Sequence, residues 1–147
     1  MSTAQFTVHT SLAPADALEL LTDFGPDRAK RWPNIDADHF RVHAEGDDWA
    51  EVTEGTAMGW ERERYSWDRA AGTVVVDTLD SNLWGPGSSW HYELKPAGTG
   101  TDVSRSWARV LSAVSSSRCC DTPRRSDQRP SASALRLVIA PIVWSGS

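Results

Sequence analysis

Cysteine, basic charge and long hydrophobic runs are all scarce in this chain of 147 residues, and each shortage excludes something. The two cysteines, Cys119 and Cys120, are neighbours. Adjacent residues form a disulfide only under strain, so a reducing, cytoplasmic compartment is expected. The longest apolar stretch, residues 134–144, is broken by Arg136 and Pro141. It is too short to span a bilayer, so no integral membrane association is expected. Residues 1–5 carry no charged or apolar leader segment, which argues against a secretory signal. Lys and Arg number 15 against 20 Asp and Glu, a formal net charge of −5. A nucleic-acid binder would show a basic face, so no nucleic-acid partner is expected.

Catalytic and cofactor signatures are absent too. The sequence has no Cys/His array at zinc spacing, no H-E-x-x-H, no G-x-S-x-G and no P-loop. Gly85-x-Gly87 lacks the third glycine and the following helix of a dinucleotide fingerprint. His39 and His43 are four apart on a strand, which separates them by roughly 13 Å, too far to share a metal. No metal and no cofactor are therefore expected.

What the chain has is tryptophan, eight in all. Such a load builds either a large aromatic core or a cavity walled with rings, and one wall can be both. Residues 5–10 alternate and are rich in Phe, Val and Thr, which predicts a first strand. Pro14 opens a helix whose apolar face is Ala17, Leu18, Leu21 and Phe24, and Gly25-Pro26 ends it. A second short helix is expected over 27–32, stopped by Pro33. Six strand-like runs follow with turn signals between them: residues 40–45, 49–54, 60–67, 73–80, 88–94 and 102–109. Residues 81–87 and 95–101 read as loop and turn. Helices segregated from a meandering antiparallel sheet make an α+β layout.

Residues 110–147 differ in character. They hold nine serines and no lysine, and five Arg against two Asp give +3. Residues 1–109 carry ten basic and eighteen acidic side chains, or −8. Residues 115–130 have no apolar period, and Pro123 and Pro130 interrupt them, so loop or disorder is expected there. The division predicted is a domain over 1–110 and an atypical Ser/Arg/Pro-rich tail over 111–147. The tail reads either as an evolved basic segment or as the product of a reading-frame change near codons 110–115.

Within the sheet, alternation puts Trp90, Tyr92 and Leu94 on one face, with Ser89, His91 and Glu93 on the other. Val103, Arg105 and Trp107 share a face on the last strand. If that face is the inner one, a guanidinium points into an apolar cavity and needs a partner. The partner is either an acid on a neighbouring strand, such as Glu61, Glu63 or Asp77, or a carboxylate, phenolate or enolate oxygen of a ligand. In residues 60–67 the set Glu61, Glu63, Tyr65 and Trp67 has the larger aromatic area and is expected inward. An inward Glu there serves as Arg105's partner or, with a raised pKa, as a general acid or base. Asn82 and Trp84 sit in a loop that either borders the mouth of a pocket or is a plain turn with one packed ring. The candidate ligand-binding residues are thus Trp90, Tyr92, Trp107, Arg105, Tyr65, Trp67, Trp84 and Asn82. No catalytic constellation is fixed by the sequence.

Several local segments resemble one superfamily. Leu20-Leu21-Thr22-Asp23-Phe24 followed by Trp32 is similar to its segment after strand 1. Trp60-Glu61-Arg62-Glu63-Arg64-Tyr65-Ser66-Trp67-Asp68 is similar to its middle strand. Pro86-Gly87-Ser88-Ser89-Trp90 and Gly98-Thr99-Gly100-Thr101-Asp102-Val103 are similar to its last hairpin. Over about residues 5–109 the chain resembles the SRPBCC superfamily, the START-like, polyketide cyclase/dehydrase and lipid transport type. The resemblance implies a helix-grip fold: a curved seven-stranded antiparallel sheet, two short helices after strand 1, and a long C-terminal helix enclosing a cavity. That last helix is degraded or atypical here, since only residues 110–114 read as helical. The implied function is binding of a small hydrophobic or aromatic molecule, lipid-like or polyketide-like. The alternatives are an enzyme of cyclase, aromatase or dehydratase type using pocket Arg, Tyr and Glu, and a truncated or frame-shifted member without ligand binding. In cyclase-type members a pocket Arg orients the substrate, which is the role the resemblance implies for Arg105.

Overall fold

The computed structural model describes residues 2–111. The expectations for the tail, including the lost C-terminal helix, the loop over 115–130 and the apolar piece over 134–144, lie outside the described residues. Seven strands and two helices follow in order: β1 (Ser2–Thr10), α1 (Pro14–Leu21), α2 (Arg28–Arg31), β2 (Arg41–Glu45), β3 (Trp49–Gly55), β4 (Trp60–Asp68), β5 (Thr73–Ser81), β6 (Ser89–Ala97) and β7 (Gly100–Arg109). One sheet contains all seven in the order β1-β7-β6-β5-β4-β3-β2, each pair antiparallel. β2 to β7 form a meander. β1 lies beside β7 at the opposite edge from β2, so the chain between β1 and β2 must cross the sheet. That crossing carries α1 over one face, here called the inner face, where Ala17, Leu18 and Leu21 are buried.

Some boundaries differ from those expected. β1 begins at Ser2 because its pairing with β7 runs to Ser2↔Arg109. The turn expected over 95–101 shrinks to two residues, since β6 runs on to Ala97 and pairs with Gly100. Gly98 supplies the φ of +59° that so tight a turn needs. Gly55 ends β3 at φ +136°, and a Cβ there would lie 2.3 Å from the Gly59 carbonyl oxygen.

Strand periodicity sets the core. Val52, Val74 and Val76 are fully buried, and Tyr65, Trp90, Tyr92, Leu94 and Val103 join them on the inner face. Each such side chain contributes roughly 1.5–3 kcal/mol relative to exposure. α1 contributes Leu18 and Leu21 to the same cluster. Its N-terminus has Pro14 at the first position and no side-chain cap. Packing against β6 and β7 holds it instead. β4 and β7 are three strand spacings apart, about 14 Å in a flat sheet, and the long side chains of Glu61 on β4 and Arg109 on β7 span that gap to meet at 2.7 Å. Register irregularities at Val42/Ala44 and Arg62/Glu63 bend the strands.

Candidate functional site

The inner face has two zones. Under α1 it is apolar and closed. The void there encloses about 10 Å³, room for about one water, and is bounded by Phe6, Val8, Leu21, Tyr92, Val103 and Arg105. Beyond α1 the face turns polar and aromatic. Three arginines and three glutamates gather there, among tryptophan and tyrosine rings.

Two of the arginines have carboxylate partners. Arg28, fully buried on α2, donates from Nε to Glu54 Oε2 at 2.8 Å and from Nη1 to the carbonyls of Leu21 and Asp23, both at 3.1 Å. It thereby satisfies acceptors at the C-terminal end of α1. Burial opposes its charge, but Glu54 and Tyr65 outweigh that and raise its pKa. Arg109, equally buried, holds Glu61 in a bidentate pair at 2.7 and 3.1 Å, and Thr78 Oγ1 donates to the same Glu61 at 3.0 Å.

Glu63 is the third glutamate. It is buried and has no arginine within ion-pairing distance among the described residues. Burial pushes its pKa well above the usual carboxylate range. Glu61 and Glu54 beside it add to the rise, and Arg109 and Arg105 moderate it. The shift favours the protonated form of Glu63. Tyr65 Oη lies 3.4 Å from its Oε2 and directs its own proton to Glu54. Burial also raises the pKa of Tyr65, with Glu54 and Glu63 contributing. Tyr92 is raised by burial, and Arg105 acts against the rise.

Arg105 is the third arginine, half-buried on β7. Among the described residues it has no carboxylate partner, and its Nε has no hydrogen-bond acceptor. Its guanidinium carbon lies 3.5 Å from the centre of the Trp90 ring and 5.2 Å from that of Tyr92. Of the acids expected beside it, Glu61 is held by Arg109, Glu63 forms no ion pair with it, and Asp77 is exposed on the opposite face of β5.

The other candidates fall into groups. Trp107 packs against Trp90 at 5.5 Å and Phe6 at 5.7 Å, close to Arg105. Tyr65 and Trp67 lie nearer the helices, with Phe24 at 4.9 and 6.2 Å from their rings. Trp84 reaches the β7 end, where Arg109 lies 5.0 Å from its ring. Asn82 is exposed. Its Oδ1 accepts from the Trp60 N–H at 2.9 Å and its amide donates to the Met58 carbonyl, so it ties the 56–60 turn to its own loop. The residue reading passed over Arg28, Glu54 and Arg109. Two of them carry a signal: Arg109 continues the Val103, Arg105, Trp107 alternation, and Glu54 continues Ala50 and Val52. α2 is too short to show a period, so Arg28 has none. Among the described residues, no group of three or more His, Cys, Asp or Glu could hold a metal ion, and no helix is long and apolar enough to cross a membrane.

No family model and no curated protein matches the sequence. Solved structures do match in shape. The Zhui aromatase/cyclase from Streptomyces sp. R1128 superposes with a TM-score of 0.67 at 16% identity, over 77% of this chain and 70% of that one. A START superfamily protein from Mycobacterium smegmatis gives 0.62 at 10% identity, over 76% and 79%. A protein from Thermobifida fusca gives 0.59 at 21% identity, over 77% and 76%. Identities this low speak for backbone architecture alone. Strand order, the helix pair after β1 and these superpositions together establish that the chain has an SRPBCC-type, helix-grip fold.

Proposed function

We propose that residues 1–110 form a ligand-binding domain whose inner face takes a small hydrophobic or aromatic molecule, lipid-like or polyketide-like, in the cytoplasm. The observation that carries this reading is Arg105. Three carboxyl groups share its face, yet it has no carboxylate partner among the described residues and stacks on Trp90 at 3.5 Å. A permanent positive charge on an aromatic floor suits an acidic oxygen attached to a flat apolar body. Trp90, Tyr92 and Trp107 supply that floor, Tyr65 and Trp67 extend it, and Trp84 and Asn82 border it. A titration with N-phenyl-1-naphthylamine tests the wall. The probe is expected to quench tryptophan emission on binding, and Trp107→Ala to weaken its binding several-fold. Unchanged affinity in that variant removes Trp107 from the wall, and no binding by the parent chain favours a member without ligand binding.

A second reading, an enzyme of cyclase or dehydratase type, is favoured by one observation. Glu63 is buried within 3.4 Å of the Tyr65 hydroxyl, and burial pushes its pKa up. A raised carboxyl pKa is the direction a general acid needs. Under this reading Glu63→Gln abolishes turnover of an oxygenated aromatic precursor while probe binding persists.

A further inference from the structure

The two edges of the sheet are built differently. β2 ends it on one side and β1 on the other. β2 has five residues, a register irregularity at Val42/Ala44 and the charged side chains Arg41 and Glu45. Short length, a bulge and charge are the devices that keep an edge strand from pairing with another chain. β1 has none of them. It is nine residues long and runs in unbroken register with β7 from Ser2↔Arg109 to Thr10↔Thr101. It contains no Pro, Asp, Glu, Lys or Arg. Alternate residues of β1 point their N–H and C=O groups away from β7, and among the described residues no strand pairs with them.

The side chains along that edge are uncharged on both faces. On the outer face Thr7 is bonded to Ser104 at 2.9 Å and His9 to Asp102 at 2.8 Å, with Thr3 and Gln5 in line with them. On the inner face Phe6 ends a row of rings, 5.7 Å from Trp107, which is itself 5.5 Å from Trp90.

The strand is complementary to itself. Laid antiparallel on a copy over its full length, β1 puts Phe6 opposite Phe6, Ala4 opposite Val8, Gln5 opposite Thr7 and Thr3 opposite His9. Apolar side chains then meet on the inner face and polar ones on the outer face. No carboxylate faces a carboxylate across the contact, although the whole chain carries a net charge of −5.

We propose that β1 is a dimerisation edge, where two copies of this chain pair β1 to β1 about a twofold axis at Phe6 and join their sheets into one. The contact is isologous, the same strand from each copy. It lies in the plane of the sheets, so both inner faces stay open, and it continues the Trp90–Trp107–Phe6 row into the second copy. One strand pair is a small interface, so association is expected at about 10–100 µM.

Sedimentation equilibrium of the full chain tests this. The mass should rise from that of one chain toward that of two between about 1 and 200 µM. Gln5→Lys with Thr7→Lys sets lysines opposite each other and should raise the dissociation constant at least about tenfold. Gln5→Glu with Thr7→Glu should do the same. An equal mixture of the two double variants sets each lysine opposite a glutamate and should associate at least as tightly as the parent. That recovery needs both variants folded, so it is its own control. Ala44→Lys, on the opposite edge, should leave the parent's association unchanged. The proposal is overturned if the lysine variant dimerises like the parent, if the mixture does not recover, or if Ala44→Lys abolishes the dimer. A parent chain that stays monomeric overturns it too. Hydrogen exchange would then assign the edge: slow β1 amides to cover by residues 112–147, fast ones to an edge open to a strand of another protein.

Discussion

Glu63 shows how position changes the chemistry of one residue type. Glu54, Glu61 and Glu63 share a face, but only the first two have arginines. Out of water and beside two like charges, Glu63 has its pKa pushed well above the usual carboxylate range. A group whose folded pKa lies above its unfolded value costs nothing while both states are protonated. It destabilises the fold increasingly as pH climbs from the unfolded carboxylate value, about 4.5, toward the folded one. Wild-type melting temperature is therefore expected to fall over that rise. Glu63→Gln keeps the shape and cannot ionise, so its profile should be flatter and its stability higher at the alkaline end. Parallel profiles would show Glu63 ionised in the folded state. The inward set Glu61, Glu63, Tyr65 and Trp67 was legible in sequence because aromatic area marks one phase of a strand. Which acid would be paired was not, since that depends on strands far apart in the chain.

Among the elements, β4 and β7 are tied by Glu61–Arg109 across two intervening strands. Arg109 is 2% exposed and Glu61 15%, so the pair is largely but not wholly withdrawn from water. Arg109→Met is expected to cost about 2–4 kcal/mol by leaving a half-buried Glu61 without its cation. Arg109→Met with Glu61→Leu should recover most of it, and chemical denaturation measures both. Similar stability in the single variant would mean that water already reaches Glu61. Gly55 is a second fixed point. Any Cβ would meet the Gly59 carbonyl, and φ is +136°. Gly55→Ala should cost on the order of 1–3 kcal/mol, whereas Gly25→Ala, at ordinary φ, should cost less. Equal costs would remove the strain argument. Strands and turns were readable because alternation and glycine are local signals. The long-range arginine pairs were not. A pair such as Glu61–Arg109, formed across two intervening strands, leaves no local signal in either strand.

At the scale of the whole molecule, acidic residues dominate the folded part, yet the inner face concentrates arginine. Residues 1–109 carry ten basic and eighteen acidic side chains, and Arg28, Arg105 and Arg109 all point inward. A sheet that needed only a core would fill that face with apolar side chains, as it does under α1. The order of elements made the helix-grip architecture legible from sequence. The proposed binding face was less so, because it rests on which internal pairs are left incomplete, and that is visible only in three dimensions. Arg105 is the incomplete member. The most direct test is calorimetric titration of 2-naphthoate and 2-acetonaphthone into the wild type and Arg105→Met, with melting temperature as the control for folding. The account predicts that the wild type prefers the carboxylate by at least about tenfold. Arg105→Met should lose that preference, keep its affinity for the neutral ketone and melt close to the wild type. A large fall in melting temperature with the preference unchanged would contradict the account and make Arg105 a structural residue.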